Sequence, residues 1–292
     1  MKKIFLLFAI SILSSSVTNS QNSIDSLTKG YKNGTLILVG GGKKTHQIMK
    51  RFKQEAGGGD AKIIIIPTAI SFNLLTDYFP MVKKEYTEEF KKHGFNNVTL
   101  LNPINKSEAN DEKFIESLKT ATGIYFSGGG GQVRVMDIFS NTKAHDEMFK
   151  LLDRGGVIMG SSAGAMVQSS FLARGDSKPT HVIVGDHQTG LGFIKNAAID
   201  SHVLVRNRQF DMFEILQIDS SLLGIGIDEK TAAIVKQDTL EVIGDSYVLI
   251  YDNSYWSRSR VAKKPTFEDG SLFYFLKDGD KYNLPKREVN KE

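Results

Sequence analysis

Short, uninterrupted apolar runs divide the first half of the chain, and each ends at a glycine, a proline or a serine. Four runs stand out, at residues 36–39, 63–66, 124–126 and 157–159. They are apolar at every position, which is typical of parallel strands that are buried on both faces of a sheet. We therefore predict four buried strands in this region.

Segments with helical spacing separate these runs. Tyr78, Val82, Tyr86 and Phe90 recur every four residues and form one stripe of a helix. Residues 111–118 and 145–152 have a similar pattern. Strands that alternate with helices predict an α/β fold of three layers, α/β/α, in which a doubly wound, mostly parallel sheet carries helices on both faces.

The second half of the chain has shorter apolar runs with turns between them, at residues 222–227, 232–235, 240–243 and 248–251. We expect these to be an antiparallel C-terminal extension of the same sheet. The organisation predicted is an N-terminal linker at 21–33, a single domain at 34–285 and a polar tail at 286–292.

The first twenty residues have the pattern of a secretory signal peptide. Lys2 and Lys3 precede an apolar run at 4–13, and small polar residues follow up to Ser20. The run is too short to cross a bilayer as a helix of the mature protein. We therefore expect cleavage after Ser20, export to the periplasm or the extracellular space, and no membrane span after processing.

Composition and charge narrow the chemistry. The chain is 40% hydrophobic and 24% charged, and its net charge of +4 falls to +2 without Lys2 and Lys3, which gives no reason to expect nucleic acid as a partner. It contains no cysteine, which excludes disulfides, a thiol nucleophile and thiolate metal sites. No H-x-x-x-H or H-E-x-x-H spacing occurs, so we expect neither a metal nor another cofactor.

The segment Gly160–Gly164 fits the G-x-S-x-G pattern of a nucleophile elbow, with an apolar run before it and a helix-compatible segment after it. The frame selects Ser162 rather than Ser161. A tight packing joint between strand and helix is the alternative interpretation of the same residues.

A serine nucleophile needs a base, and the chain offers six histidines. His93 and His145 lie in charged helical segments, His46 opens the first helix, and His181 and His187 lie in a loop. His202 follows an apolar segment at a predicted strand end, where site residues usually lie.

No histidine follows His202, so the order serine, acid, histidine of the α/β-hydrolases does not fit. An acid that follows the histidine remains open. Asp228 and Glu229 come directly after the apolar run at 222–227, and either carboxylate is a candidate to orient the imidazole.

Taken together, the ordered segments 160–165, 200–208 and 224–229, preceded by 39–42 and 123–132, resemble the cyanophycinase and aspartyl dipeptidase family of serine peptidases. That family has a fold similar to class I glutamine amidotransferases, a flavodoxin-like sheet. The resemblance implies Ser162 as nucleophile, His202 as general base and acid, and Glu229 as orienting acid, with Asp228 as the alternative. It also implies an oxyanion hole made by backbone N–H groups of Ala163 and of the glycine loop, Gly129 and Gly130.

The resemblance extends to substrate binding, with departures. It assigns this role to Gln132, Asp200, Ser201, Arg206 and Arg208. Ser201 stands where the family usually has Gln, Asp211 stands where a third arginine is usual, and Gly131 replaces an acidic residue.

These residues predict an exported serine peptidase that cleaves a peptide or isopeptide bond next to an acidic residue, through an acyl-enzyme. The partners expected are a peptide substrate with acidic residues and a second copy of the chain in a homodimer. A catalytically silent cell-envelope binder of carboxylated ligands is the alternative. A glutamine amidotransferase is disfavoured because those enzymes use cysteine at the elbow.

Overall fold

The computed structural model of the chain describes residues 27–177, 182–259 and 272–290. The predicted signal peptide at 1–20, residues 21–26 of the predicted linker, and His181 lie outside the described residues. The described residues form an α/β fold with helices on both sides of a mixed sheet, as predicted.

A nine-stranded sheet forms the centre of the molecule. Its parallel part has the order β1-β5-β4-β2-β3, and four antiparallel strands continue it beyond β1 in the order β9-β10-β13-β14. The strands are β1 (Thr35–Val39), β2 (Lys62–Ile66), β3 (Asn97–Leu100), β4 (Gly123–Phe126), β5 (Val157–Ser161), β9 (Thr231–Lys236), β10 (Thr239–Gly244), β13 (Lys281–Asn283) and β14 (Glu288–Val289). The four predicted buried strands are β1, β2, β4 and β5.

Two layers of core explain why these strands are apolar at every position. On β2, Ile63 and Ile65 contact the cluster that includes helices α1 and α3, whereas Ile64 and Ile66 contact the cluster that includes α4, α5 and α6. Successive side chains of a strand point to opposite faces, so both faces require apolar residues. The helices are α1 (His46–Glu55), α2 (Phe72–Thr76), α3 (Phe79–Lys92), α4 (Glu112–Thr120), α5 (Gln132–Phe139), α6 (Lys143–Asp153), α7 (Ala163–Met166) and α8 (Met212–Ile218).

A second sheet of five strands packs into the same core as α4, α5 and α6. Its order is β12-β11-β8-β7-β6. The strands are β6 (Ser169–Phe171), β7 (Ile194–Ser201), β8 (Leu223–Ile227), β11 (Tyr247–Tyr251) and β12 (Tyr274–Lys277).

The second sheet corrects one expectation. The runs at 232–235 and 240–243 do extend the main sheet, as β9 and β10, but those at 222–227 and 248–251 form β8 and β11 of the second sheet. The chain leaves the second sheet after β8 and returns to it at β11. Apolar runs mark where strands occur, but they do not identify the neighbour with which each strand pairs.

Two further details add to the expectation. Strand β3 was not foreseen because it is an edge strand whose first three residues are partly or fully exposed. Part of the polar tail is ordered, since Glu288–Val289 pairs with β13.

None of the helices in the described part of the chain is long and apolar enough to cross a membrane.

Candidate active site

Ser162 occupies the turn between β5 and α7, as the elbow pattern predicts. Its backbone has φ 54° and ψ −117°, a left-handed conformation that is costly for a residue with a side chain. The turn is held by a hydrogen bond from Ser162 N to the carbonyl of Val39 at 2.9 Å. Strain of this kind is typical of a nucleophile elbow, in which the serine hydroxyl is lifted above the end of the strand.

His202 and Glu229 reach Ser162 from the second sheet. His202 directly follows β7, and Glu229 lies two residues after β8. His202 Nε2 is 2.8 Å from Ser162 Oγ, and His202 Nδ1 is 2.6 Å from Glu229 Oε1. The three predicted side chains therefore form one hydrogen-bonded series, although they come from two different sheets.

Asp228, the alternative acid, has other partners. Its Oδ1 accepts hydrogen bonds from the backbone N–H groups of Leu204 and Val205, and its Oδ2 accepts one from the Ser246 hydroxyl. Asp228 thus anchors the turn after His202, and Glu229 is the carboxylate that contacts the imidazole.

The glycine turn after β1 joins the two sheets beneath the site. Gly40 O accepts a hydrogen bond from His202 N, and Gly41 O accepts one from Lys230 N. Gly41 has φ +114°, and a Cβ there would lie 2.2 Å from His202 Cε1. Only glycine allows the backbone to pack this closely against the imidazole, which accounts for the glycine run that the sequence shows at this strand end.

The surroundings of His202 lower the pKa of its imidazole. Burial is the largest cause and lowers the pKa, the hydrogen bond to Glu229 raises it, and the positive charges of Arg206 and Arg208 lower it. The net effect favours the neutral imidazole, the form that accepts a proton from a serine hydroxyl.

Three backbone N–H groups belong to residues close to Ser162: Gly129 and Gly130 line the same cleft, and Ala163 is the next residue in the chain. The N–H groups of Gly129, Gly130 and Ala163 donate no hydrogen bond to any other described residue. Gly129 has φ +142°, and a Cβ there would lie 2.4 Å from the Ala69 carbonyl oxygen, so this loop requires glycine. These donors are the ones predicted for an oxyanion hole.

The site opens into a cleft with a volume of about 620 Å³. Ser162 and His202 line it, together with four of the residues predicted to bind substrate, namely Gln132, Ser201, Arg206 and Arg208. Gln132 Oε1 and Ser201 Oγ are buried and have no hydrogen-bond partner among the described residues. Polar atoms of this kind are suited to a bound ligand.

Asp200 is the predicted substrate-binding residue that the structure does not place on the cleft wall. It is 1% exposed, and its carboxylate accepts hydrogen bonds from Arg174 and from Ser201 N. Asp200 instead lies behind the residues that line the cleft, directly before Ser201 and His202 in the chain.

Several cleft residues were not identified from the sequence. Arg174 lines the cleft although its Arg-Gly-Asp context carried no signal, and Lys44, Tyr86 and Tyr125 form another part of the wall. Lys44 pairs with Glu89 and lies over the Tyr125 ring. Its place two residues after the glycine turn was the one available signal.

The described residues hold no group of three or more histidine and carboxylate side chains that could bind a metal ion.

A strained serine in hydrogen-bonding series with an imidazole and a carboxylate, beside free backbone N–H groups, is the arrangement of a serine hydrolase.

Comparisons with known proteins agree with this class. The model of peptidase family S51 matches residues 14–243. Cyanophycinase from Geminocystis herdmanii is 31% identical over 267 residues, which cover 87% of this chain and 95% of that protein. Cyanophycinase from Synechococcus elongatus is 32% identical over 272 residues, which cover 89% and 82% respectively.

Among solved structures, a peptidase from an acI-B1 actinobacterium superposes with a TM-score of 0.63 and 25% identity, over 87% of this chain and 98% of that one. The chain therefore belongs to peptidase family S51 and is a serine-type peptidase, a hydrolase with a peptide as substrate. The family resemblance that the sequence indicated is confirmed.

Proposed function

We propose that this chain is an exported, cyanophycinase-like serine peptidase that hydrolyses a peptide or isopeptide bond next to an aspartate. Ser162, His202 and Glu229 act as its catalytic triad. The observation that carries the proposal is the unbroken series of hydrogen bonds, 2.8 Å from Ser162 Oγ to His202 Nε2 and 2.6 Å from His202 Nδ1 to Glu229 Oε1.

The proposed reaction begins with attack of Ser162 Oγ on the carbonyl carbon, while His202 Nε2 takes the hydroxyl proton. Glu229 stays ionised and stabilises the imidazolium through Nδ1–H. The oxyanion of the tetrahedral intermediate accepts hydrogen bonds from Ala163 N and from the Gly129–Gly130 loop. Each such donor is worth about 100- to 1000-fold in rate.

The intermediate collapses when His202 passes its proton to the leaving amine and the C–N bond breaks. This leaves an ester between Ser162 and the acyl part of the substrate. Water then attacks the ester with His202 as base, which releases the acid and restores the serine hydroxyl.

An acidic substrate is supported by the positive charges on the cleft wall. Arg206 and Arg208 line the cleft beside His202, and guanidinium groups bind carboxylates through paired hydrogen bonds. Ser201 lines the same cleft, and its hydroxyl can donate a hydrogen bond to a carboxylate. The similar proteins named cyanophycinase favour the same class of substrate.

The decisive experiment compares the wild-type protein with Ser162→Ala on Asp-containing dipeptides, as α- and β-linked isomers, and on cyanophycin. We expect Ser162→Ala to lose nearly all turnover and the matched Ser161→Ala to retain most of it. Equal turnover by the wild type and Ser162→Ala would contradict the proposed nucleophile.

A serine-reactive phosphonate separates the enzyme from a silent binder on the same fold. Labelling of the wild type that disappears in His202→Ala supports the triad. Wild-type protein that binds Asp-containing peptides but takes up no label would favour the binder.

Export is proposed from the sequence of residues 1–20 alone. Expression of the full chain, followed by N-terminal sequencing of the protein outside the cytoplasm, tests it. A mature chain that begins at Gln21 is expected, and a cytoplasmic chain that retains residues 1–20 would contradict export.

A further inference from the structure

We propose that Arg174 is a positioning residue of this site, which acts through Asp200 to hold the backbone that carries Ser201 and His202. The inference rests on the proposed role of His202. It concerns a residue outside the segments 160–165, 200–208 and 224–229 and outside the proposed triad.

The first step of the argument is the geometry of the Arg174 guanidinium. Its Nε donates to Asp200 Oδ1 at 2.8 Å, and its Nη2 donates to Asp200 Oδ2 at 2.8 Å. The Arg174 side chain is 8% exposed and that of Asp200 is 1% exposed. A two-point bond of this kind fixes the orientation of the carboxylate as well as its position.

The second step leads from the carboxylate to the imidazole. Asp200 Oδ1 also accepts a hydrogen bond from Ser201 N at 2.9 Å, and His202 is the next residue. His202 has φ +56°, a conformation that its own chain does not favour and that its surroundings must hold. The orientation of the Asp200 carboxylate therefore determines the position of Ser201 N, and with it the position of the strained backbone of His202, the next residue.

The third step is the support that Arg174 itself receives. Asp211 Oδ2 accepts from Arg174 Nη2 at 2.6 Å, and the Arg174 carbonyl accepts from Gln132 Nε2 at 3.1 Å. Asp211, which takes the place of an expected arginine, is thus a second carboxylate on Arg174. The arginine that pairs with Asp200 therefore comes from residue 174, outside the segment 200–208.

Removal of Arg174 would leave a buried carboxylate without its cation, which is strongly unfavourable. We expect Asp200 to turn or to take up a proton and to release Ser201 N. A displacement of about 1 Å in a reacting group can cost about 100-fold in rate. Arg174→Met should therefore slow the reaction of Ser162 with a phosphonate by about 10- to 100-fold.

The matched control is Arg154→Met. Arg154 is also a partly buried arginine, and it pairs with the buried Glu147. It lies just before β5, however, whereas Ser162 lies just after it, so the two residues are at opposite ends of the strand. Its loss should lower stability without changing the phosphonate rate. If Arg174→Met folds and reacts within twofold of the wild type, the inference is overturned.

A double variant tests whether a positive charge moved from position 174 to position 211 restores the rate of the phosphonate reaction. The double variant Arg174→Met with Asp211→Arg places a guanidinium beside Asp200 from the other side, because Asp211 already lies within hydrogen-bond distance of Arg174. Recovery of at least half of the lost rate, on a logarithmic scale, supports positioning through Asp200. A double variant no faster than Arg174→Met contradicts it.

If Arg174→Met does not fold, Arg174→Lys and Asp211→Asn test the positioning role instead. Lysine keeps the charge but lacks the planar fork, and asparagine removes only the second carboxylate. Both should slow the phosphonate reaction, the lysine variant more strongly. Rates equal to wild type in both variants overturn the inference.

A readout without chemistry separates this inference from the proposed triad. The low-field NMR resonance of the proton between His202 and Glu229, assigned by its loss in His202→Gln, should be weakened or lost in Arg174→Met and retained in Arg154→Met. If the wild type takes up no phosphonate, the triad proposal fails, and this resonance alone decides the role of Arg174: retention in Arg174→Met overturns it.

Discussion

At the scale of single residues, the two adjacent carboxylates Asp228 and Glu229 perform different tasks. Glu229 contacts His202 Nδ1, whereas Asp228 accepts hydrogen bonds from the backbone of Leu204 and Val205. The residue pattern placed both at a strand end without distinguishing between them, and the family resemblance favoured Glu229 with Asp228 as the alternative. The direction in which each side chain leaves the turn does so, and that depends on tertiary structure.

This difference predicts opposite effects of two isosteric changes. Glu229→Gln should lower kcat by about 100- to 10,000-fold, because the amide no longer holds the imidazole in the reactive tautomer or stabilises its charge. Asp228→Asn should keep kcat within a few-fold of wild type and lower the melting temperature instead. Steady-state kinetics with thermal unfolding of both variants is the measurement, and a larger kcat loss in Asp228→Asn would contradict the assignment.

The arginines beside His202 predict a shift in pH dependence. Burial lowers the pKa of His202 below 6.5, and the charges of Arg206 and Arg208 lower it further. In the proposed reaction the neutral imidazole is the active form, so kcat/KM should be constant above this pKa and fall as the pH decreases through it. Arg206→Met removes one of the charges and should raise the pKa of His202.

The acid limb of kcat/KM should therefore move to higher pH in Arg206→Met, whatever happens to the absolute rate. Arg154→Met, which removes a distant positive charge, should leave the limb where the wild type has it. A limb that stays in place or moves to lower pH in Arg206→Met would show that this charge does not act on His202.

At the scale of elements, the turn at Gly40–Gly42 connects the sheet that carries Ser162 to the sheet that carries His202. Gly41→Ala should lower the free energy of unfolding by about 1–3 kcal/mol through its positive φ alone. It should also reduce kcat/KM by about 100-fold, since the new methyl group would displace the imidazole.

Gly57→Ala is the matched control for this prediction. Gly57 has φ +101°, but a Cβ there meets nothing within 4 Å. It should therefore show the loss of stability without the loss of activity. Equal activities of the two variants would mean that Gly41 does not set the position of His202.

At the scale of the whole molecule, one core cluster includes residues from both sheets, among them Leu36 and Ile158 of the main sheet and Ile199 and Leu223 of the second. A shared core predicts that the two sheets unfold together. Trp256, the single tryptophan, contacts Tyr274 on β12 and reports on the second sheet. Its fluorescence should change at the same denaturant concentration as the far-UV circular dichroism, and separate midpoints would indicate two independent units.

The sequence by itself determined four of the five strands of the parallel sheet, the elbow serine and the family. These depend on local physics: apolar residues at every position for strands buried on both faces, and small residues where a strand turns sharply into a helix. The order of the site segments along the chain then selected His202 and left two acids open.

Only the tertiary structure decided the second sheet, the separate contacts of Glu229 and Asp228, and the place of Arg174. Each depends on contacts between residues that are distant in sequence. The hydrogen bond between Arg174 and Asp200 spans 26 positions and that between His202 and Glu229 spans 27. Local patterns carry no signal for such pairs, because the side chains meet only after two sheets have packed around a common core.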